Sequence, residues 1–260
     1  MQLSYKHFDA ALANVRFVLV APRMAANVGA AARAIKVMGF SKLTIVSDEP
    51  FKINQADAIA LASGAGDILQ NATRCASLDV ALSGCTRVVA LTARPREWSG
   101  QVVNLPAHAA TSATALTAGE EIAFVFGNER FGLSNEDILR CGHICTIATN
   151  PDYSSLNLAQ AVQVCAYALR NELLGRLEAG SALNPPLTQE IERETPATQD
   201  RVQGSLTHWL CALESIGYYD PTEPRRLKQR LGSLFARAGL TTADVDMLRG
   251  MAAAITRKNE

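Results

Sequence analysis

Several short runs in this chain are apolar on both faces, and they restrict its fold more than any other feature. They are "VRFVLVA" (15–21), "KLTIVS" (42–47), "RVVALT" (87–92), "IAFVF" (122–126) and "HICTIA" (143–148). A strand with one wet face alternates apolar and polar residues; these runs do not, so both of their faces need cover. The segments between them read as helices. "NVGAAARAIKVMG" (27–39) is opened by Asn and Gly and closed by Gly39, and shorter helical stretches fall at 57–61 and 78–83. In "NPDYSSLNLAQAVQVCAYALR" (150–170), Leu158, Ala161, Val162, Cys165 and Leu169 recur at helical spacing. The alternation predicts an α/β fold: a parallel sheet with helices on both faces.

At 48% hydrophobic and 19% charged, the 260 residues can bury a real core, which excludes a disordered chain. Formal net charge is zero, so any nucleic-acid surface must be local. None of the six cysteines forms a CxxC pair. Cys141, His143 and Cys145 alternate within an apolar stretch, and small buried strand residues explain them better than metal ligands. No charged head precedes an apolar run at the N-terminus, and no apolar segment is long enough to span a bilayer. The expectation is a cytoplasmic protein with free thiols and no membrane partner.

The pattern changes after Arg170. "EAGSALNPPLTQEIERETPATQD" is polar and carries Pro185, Pro186 and Pro196. Beyond it, Leu206, Trp209, Leu210 and Leu213 form one helical stripe, and Leu227, Leu231, Leu234 and Phe235 another. The expected division is a sheet domain at 1–174, a linker at 175–200 and a small α-helical C-terminal extension at 201–260.

Ligands of open parallel sheets bind beyond the carboxyl ends of strands. Three such ends carry unusual loops here: "ARPREWSG", "GNERFGLSNED" and "TNPDYSSLN". In the second, Gly127 and Gly132 permit tight turns, and Ser134 or Asn135 caps a following helix. Glu129 and Arg130 are not needed for capping; a surface ion pair is the plain alternative to a site role. In the third, Ser154 or Ser155 is the expected cap of the long helix. Arg33 stands among alanines, where a solvated helix arginine is the plain alternative. Neither GxGxxG nor GxxxxGK[ST] is present. His7, His108, His143 and His208 all lie outside the three loops, so a hydrolytic triad has no support.

Taken together and in order, "NVGAAARAIKVMGF", "VFGNERFGLSNED" and "NPDYSSLNLAQAVQVCAYALR" resemble the three motifs of the SPOUT-class ribose 2′-O-methyltransferases of the TrmH-like superfamily. The resemblance implies a C-terminal trefoil knot, S-adenosylmethionine bound in it, and a homodimer. Carried over by position, the cofactor lining is Leu91, Thr92, Ala93, Gly127, Ile147, Ser154, Ser155 and Leu156. The catalytic residues are Arg33, Glu129, Ser155 and Asn157, with Asn27 and Arg33 on the RNA side. Arg94, Arg96, Arg225, Arg226 and Arg230 are the expected RNA contacts beyond the motifs. The implied reaction is 2′-O-methylation of a tRNA ribose, at a cytidine or uridine at position 32 of the anticodon loop. Alternatives are a methyltransferase acting on rRNA or another tRNA site, and a non-catalytic RNA-binding module.

Overall fold

A computed structural model describes residues 5–47, 56–93, 102–178, 195–223 and 226–258. The chain begins with α1 (Tyr5–Ala13), β1 (Val15–Val20), α2 (Ala25–Val37) and β2 (Lys42–Val46). It continues through α3 (Ala56–Ala62), a 3-10 turn (Ser63–Ala65), α4 (Gly66–Gln70), β3 (Thr73–Cys75), α5 (Leu78–Leu82) and β4 (Arg87–Leu91). Next come β5 (Val102–Asn104), α6 (Leu105–Thr117), β6 (Ile122–Phe126), α7 (Asn135–Arg140), β7 (His143–Thr146) and α8 (Leu158–Glu178). The C-terminal part holds α9 (Gln199–Ser215), α10 (Leu227–Arg237) and α11 (Thr242–Arg257).

The strands form one sheet in the order β3-β2-β1-β6-β4-β7-β5, and every pair in it is parallel. Its two faces explain the doubly apolar runs. Phe17, Leu19, Phe124, Phe126, Val89, Leu91 and Cys145 point into a core shared with α1, α2, α6 and α8. Val18, Val125, Val88, Ala90 and Ile144 point into a second core under α5 and α7. Both faces are thus covered, as the sequence predicts. Cys141 belongs to the second core and Cys145 to the first, so the Cys141–His143–Cys145 set does not converge on a point.

The elements α1, α4, β3, β5 and α6, with the 3-10 turn, escape the sequence reading. Two boundaries also move. The helix expected at 27–39 begins at Ala25, and α8 runs on to Glu178, inside the stretch read as linker. Residues 179–194 lie outside the described residues.

The C-terminal helices pack around Val202, Leu206, Phe235 and Val245. They are bonded to the sheet domain. Gln199 N donates to Cys85 O (2.8 Å), Gly84 N to Asp200 Oδ1 (3.2 Å) and Gln199 Nε2 to Arg140 O (3.3 Å). A Cβ added at Gly142 would lie 2.1 Å from the carbonyl oxygen of Ala236 in α10, so the two backbones touch there.

Candidate active site

Strands β6, β4 and β7 are neighbours and parallel, so the loops at their carboxyl ends meet. Leu91 ends β4 and Thr92 and Ala93 follow it, Gly127 follows β6, and Ile147, Ser154, Ser155 and Leu156 follow β7. All eight line one cleft, which Phe126, Glu129, Phe131, Thr149 and Leu158 also line. Thr92 N donates to Cys145 O (3.0 Å) and joins the ends of β4 and β7.

The β6 loop is rigidly folded. Asn128 Oδ1 accepts from Arg130 N (3.1 Å) and Phe131 N (2.7 Å), and Gly132 N donates to Asn128 O (3.0 Å). This is an Asx-type turn. Gly132 closes it with φ +69°, and a Cβ at Gly127 would sit 2.0 Å from the Gly132 carbonyl carbon. Glycine is required at both positions, at one by conformation and at the other by space. Ser134 and Asp137 then form a capping box that starts α7.

Among the described residues Glu129 forms no ion pair. Its carboxylate accepts from Arg23 N (2.9 Å), Met24 N (3.1 Å) and Asn27 Nδ2 (2.9 Å). Met24 is the N-cap of α2 and has no side-chain cap of its own, so Glu129 serves the positive end of that helix from a distant loop. Burial pushes the carboxyl pKa up, but the hydrogen bonds from Asn27 and the backbone outweigh it and hold it below its ordinary value.

The chain of bonds continues. Asn157 Nδ2 donates to Asn27 Oδ1 (2.9 Å), and Asn157 Oδ1 accepts from Ala159 N (2.9 Å) and Gln160 N (3.4 Å). One expectation is corrected here. The cap of α8 is Asn157, not Ser154 or Ser155, because Asn157 immediately precedes the first helical residue and is an equally good cap. Asn27, expected on the RNA side, is 7% exposed, and both ends of its amide are occupied by Glu129 and Asn157.

Ser155 is exposed at the cleft. Arg33 is exposed on α2; it is absent from the cleft lining of its own chain and from the ion pairs among the described residues. Arg94, Arg96 and Arg225 lie outside the described residues. Arg226 and Arg230 are exposed beside and on α10, which has no acidic residue. Phe131 was missed as a site residue. Its signal was a lone apolar side chain inside an otherwise polar glycine turn. Among the described residues no group of three His, Cys, Asp or Glu is placed to hold a metal.

Known proteins resemble this chain over nearly its whole length. The SpoU rRNA Methylase family matches residues 14–167, and the C-terminal domain of the tRNA methyltransferase TrmJ matches residues 200–260. The tRNA (cytidine/uridine-2′-O-)-methyltransferase TrmJ of Salmonella typhimurium is 37% identical over 250 residues, covering 96% of this chain and 99% of that protein. The crystal structure of TrmJ from Z. mobilis ZM4 superposes with a TM-score of 0.76 at 29% identity, covering 92% of this chain and 98% of the other. A structure concerned with 2-OH methylation of C/U34 on tRNA gives a TM-score of 0.50 at 25% identity; it covers 62% of this chain and 97% of its own. With the three motif loops gathered on one cleft and both parts of the chain matched, this protein belongs to the SpoU methylase family and, within it, groups with the TrmJ tRNA methyltransferases.

Proposed function

We propose that this chain methylates the ribose 2′-hydroxyl of a cytidine or uridine in tRNA, using S-adenosylmethionine, and that it acts as a cytoplasmic homodimer. The observation that carries this reading is the convergence of Leu91, Gly127, Ile147, Ser155 and Leu156 on one cleft closed by the Glu129–Asn27–Asn157 bonds. The lining fits the cofactor. Leu91, Phe126, Ile147 and Leu156 offer apolar walls for an adenine ring, and the Gly127 turn brings backbone close to the ligand. When bound, S-adenosylmethionine supplies an electrophilic methyl group; the chain's residues orient the acceptor. Reacting atoms must be held about 3–3.5 Å apart and in line, so positioning is much of the catalysis.

Glu129 and Asn157 then act as positioning residues, since their polar atoms are bound to α2, Asn27 and α8. Ser155 is the exposed hydroxyl on the wall of the ribose site. Arg33 cannot serve as a base, because a guanidinium stays protonated. In this reading it holds a phosphate and stabilises the alkoxide as it develops. Its position outside its own chain's cleft suits supply from the second copy of the dimer. A C-terminal trefoil knot belongs to this reading, as the family resemblance implies. The sheet domain is read as 1–174, the linker as 175–200 and the extension as 201–260.

The target is read as position 32, the first nucleotide of the anticodon loop, because the TrmJ resemblance spans both parts of the chain. The C/U34 structure matches only 62% of it. The test is to incubate the protein with labelled S-adenosylmethionine and tRNA or rRNA, and to map ribose methylation. Label at a pyrimidine at position 32 is the expected result. Label only on rRNA, or only at another tRNA site, overturns the assignment of substrate. No label on any RNA leaves an RNA-binding module.

A further inference from the structure

Seven phenylalanines fall among the described residues, and six are buried. Phe8, Phe17, Phe40, Phe124, Phe126 and Phe235 are at most 8% exposed, whereas Phe131 is 62% exposed. Phe131 is also the one of the seven that lies in the β6 loop lining the cleft, while Phe126 forms its floor. The exposure does not come from a loose turn. Phe131 N is bonded to Asn128 Oδ1 at 2.7 Å, the tightest contact in the turn, and Gly132 N closes the turn onto Asn128 O. The backbone therefore presents the ring to solvent at a fixed place.

The ring's neighbours suit a nucleotide. The Arg130 guanidinium lies 5.0 Å from the ring centroid, so a cation sits against it, and the ring is still 62% exposed with that contact in place. The β7 loop carries Tyr153, which is 80% exposed and held by its backbone bond to Asn150 O (3.0 Å). Ser155, on the wall assigned to the ribose, is two residues beyond it. A ribose entering between these loops brings its own base to their rim. An aromatic face beside a cation is what proteins use to hold an unpaired base, since every base has a π-face and an adjacent phosphate.

We propose that Phe131 is a stacking platform for the base of the nucleotide being methylated, with Arg130 beside it facing that nucleotide's phosphate. This rests on the tRNA methyltransferase reading. Phe131 does not touch the reacting atoms. It is a positioning residue that selects a base already out of its stack and sets the ribose in the cleft.

The experiment compares wild type, Phe131→Ala and Phe131→Trp on two substrates: the natural tRNA, and the same tRNA lacking the base at the methylated nucleotide. S-adenosylmethionine affinity is measured separately by calorimetry, and oligomeric state by light scattering. Expected on natural tRNA is a loss of roughly 5- to 150-fold in kcat/KM for Phe131→Ala, the range for one base–aromatic stack, with Phe131→Trp near wild type. Oligomeric state stays unchanged, and the comparison is made at S-adenosylmethionine concentrations that saturate each variant, because Phe131 also lines the cofactor cleft. On the abasic tRNA, wild type and Phe131→Ala become equal, because the partner of the ring is gone. Equal activity of the two on natural tRNA overturns the proposal. So does an unchanged defect on abasic tRNA, and so does a change of oligomeric state, which assigns the ring to a second copy of the chain. Wild-type protein that methylates no tRNA overturns the functional reading itself, and the platform with it.

Discussion

Asn27 has one side chain and two obligations. Its Nδ2 donates to Glu129 and its Oδ1 accepts from Asn157, so a single amide links the start of α2, the β6 loop and the start of α8. An amide is the only common side chain of this size that donates on one side and accepts on the other. Asn27→Asp keeps the shape and the acceptor but sets a second carboxylate against Glu129. The variant should lose about 1–3 kcal/mol of stability at neutral pH through the lost donor and like-charge contact. That penalty should shrink as pH falls below about 4.5, the ordinary value for Glu129, where the carboxylates take up protons. Urea unfolding of both proteins across that range checks this, and a pH-independent difference would refute it. The Glu129 contribution in the wild type has the same sign: its carboxyl is held low, so the contribution is complete above 4.5 and is lost as pH falls through the lowered value. Little of this was legible in the sequence. The loops that line the cleft were, because they lie beyond the carboxyl ends of apolar strands and carry glycines and small polar residues; the individual lining residues came from the family resemblance. The partners of Glu129 lie more than a hundred positions away, at Arg23, Met24 and Asn27. No local pattern reports such a bond, so an exposed ion pair with Arg130 seemed as reasonable.

The elements that escaped the sequence reading did so for a different reason. Helix α6 is built from "LPAHAATSATALT", where alanines and threonines blur the apolar stripe that marks a helix. The start was nevertheless written in the chain: Asn104 Oδ1 caps Ala107 N (3.2 Å), and Pro106 sits in the first turn. Helix α8 has a clear stripe, and only its ends were misplaced: its cap, and its run on to Glu178. α6 also buries a titratable pair. His108 is 2% exposed, its Nδ1 lies 3.0 Å from Ser112 Oγ, and its ring meets that of His143 of β7 edge-on at 5.5 Å. Burial, then His143, then Arg87 push the His108 pKa down to about 4 from 6.5. Between those values the unfolded chain binds the proton and the folded chain does not. Stability is therefore complete above pH 6.5 and falls as pH drops from 6.5 toward 4. The loss due to this residue is on the order of 3 kcal/mol. In His108→Gln, which retains a hydrogen-bonding group for Ser112 but does not titrate, the unfolding free energy should decline less by about that amount over the same interval. An acid limb as steep as that of the wild type would show that His108 does not cause it.

At the scale of the whole molecule, the C-terminal helices are mounted on the turns that feed the cleft. Cys85 and Gly84 precede β4, and Arg140 and Gly142 precede β7; these two strands end in Leu91 and in the approach to Ile147. Five residues of strand at about 3.3 Å each put the mounting points roughly 15 Å from the cleft, at the opposite end of the sheet. The extension is anchored at that end, so any tRNA contact it makes is held at a set separation from the cleft. A fixed mount turns this separation into a constraint on which ribose reaches the cleft; a loose tether would not. Gly142 tests the difference without touching the site. Its Cβ position is 2.1 Å from Ala236 O, a backbone atom, so Gly142→Ala must push α10 away. Overpacking of this kind costs about 1–3 kcal/mol, and here it falls on the contact between α10 and the turn before β7. Hydrogen exchange should quicken in α10 while β1 and β6 stay protected. S-adenosylmethionine affinity should hold, and the KM for tRNA should rise several-fold with kcat little changed, since the cleft is intact and only the distant contact is misplaced. If the KM for tRNA stays at the wild-type value while exchange in α10 quickens, the extension contributes to stability alone and its fixed position has no part in choosing the substrate.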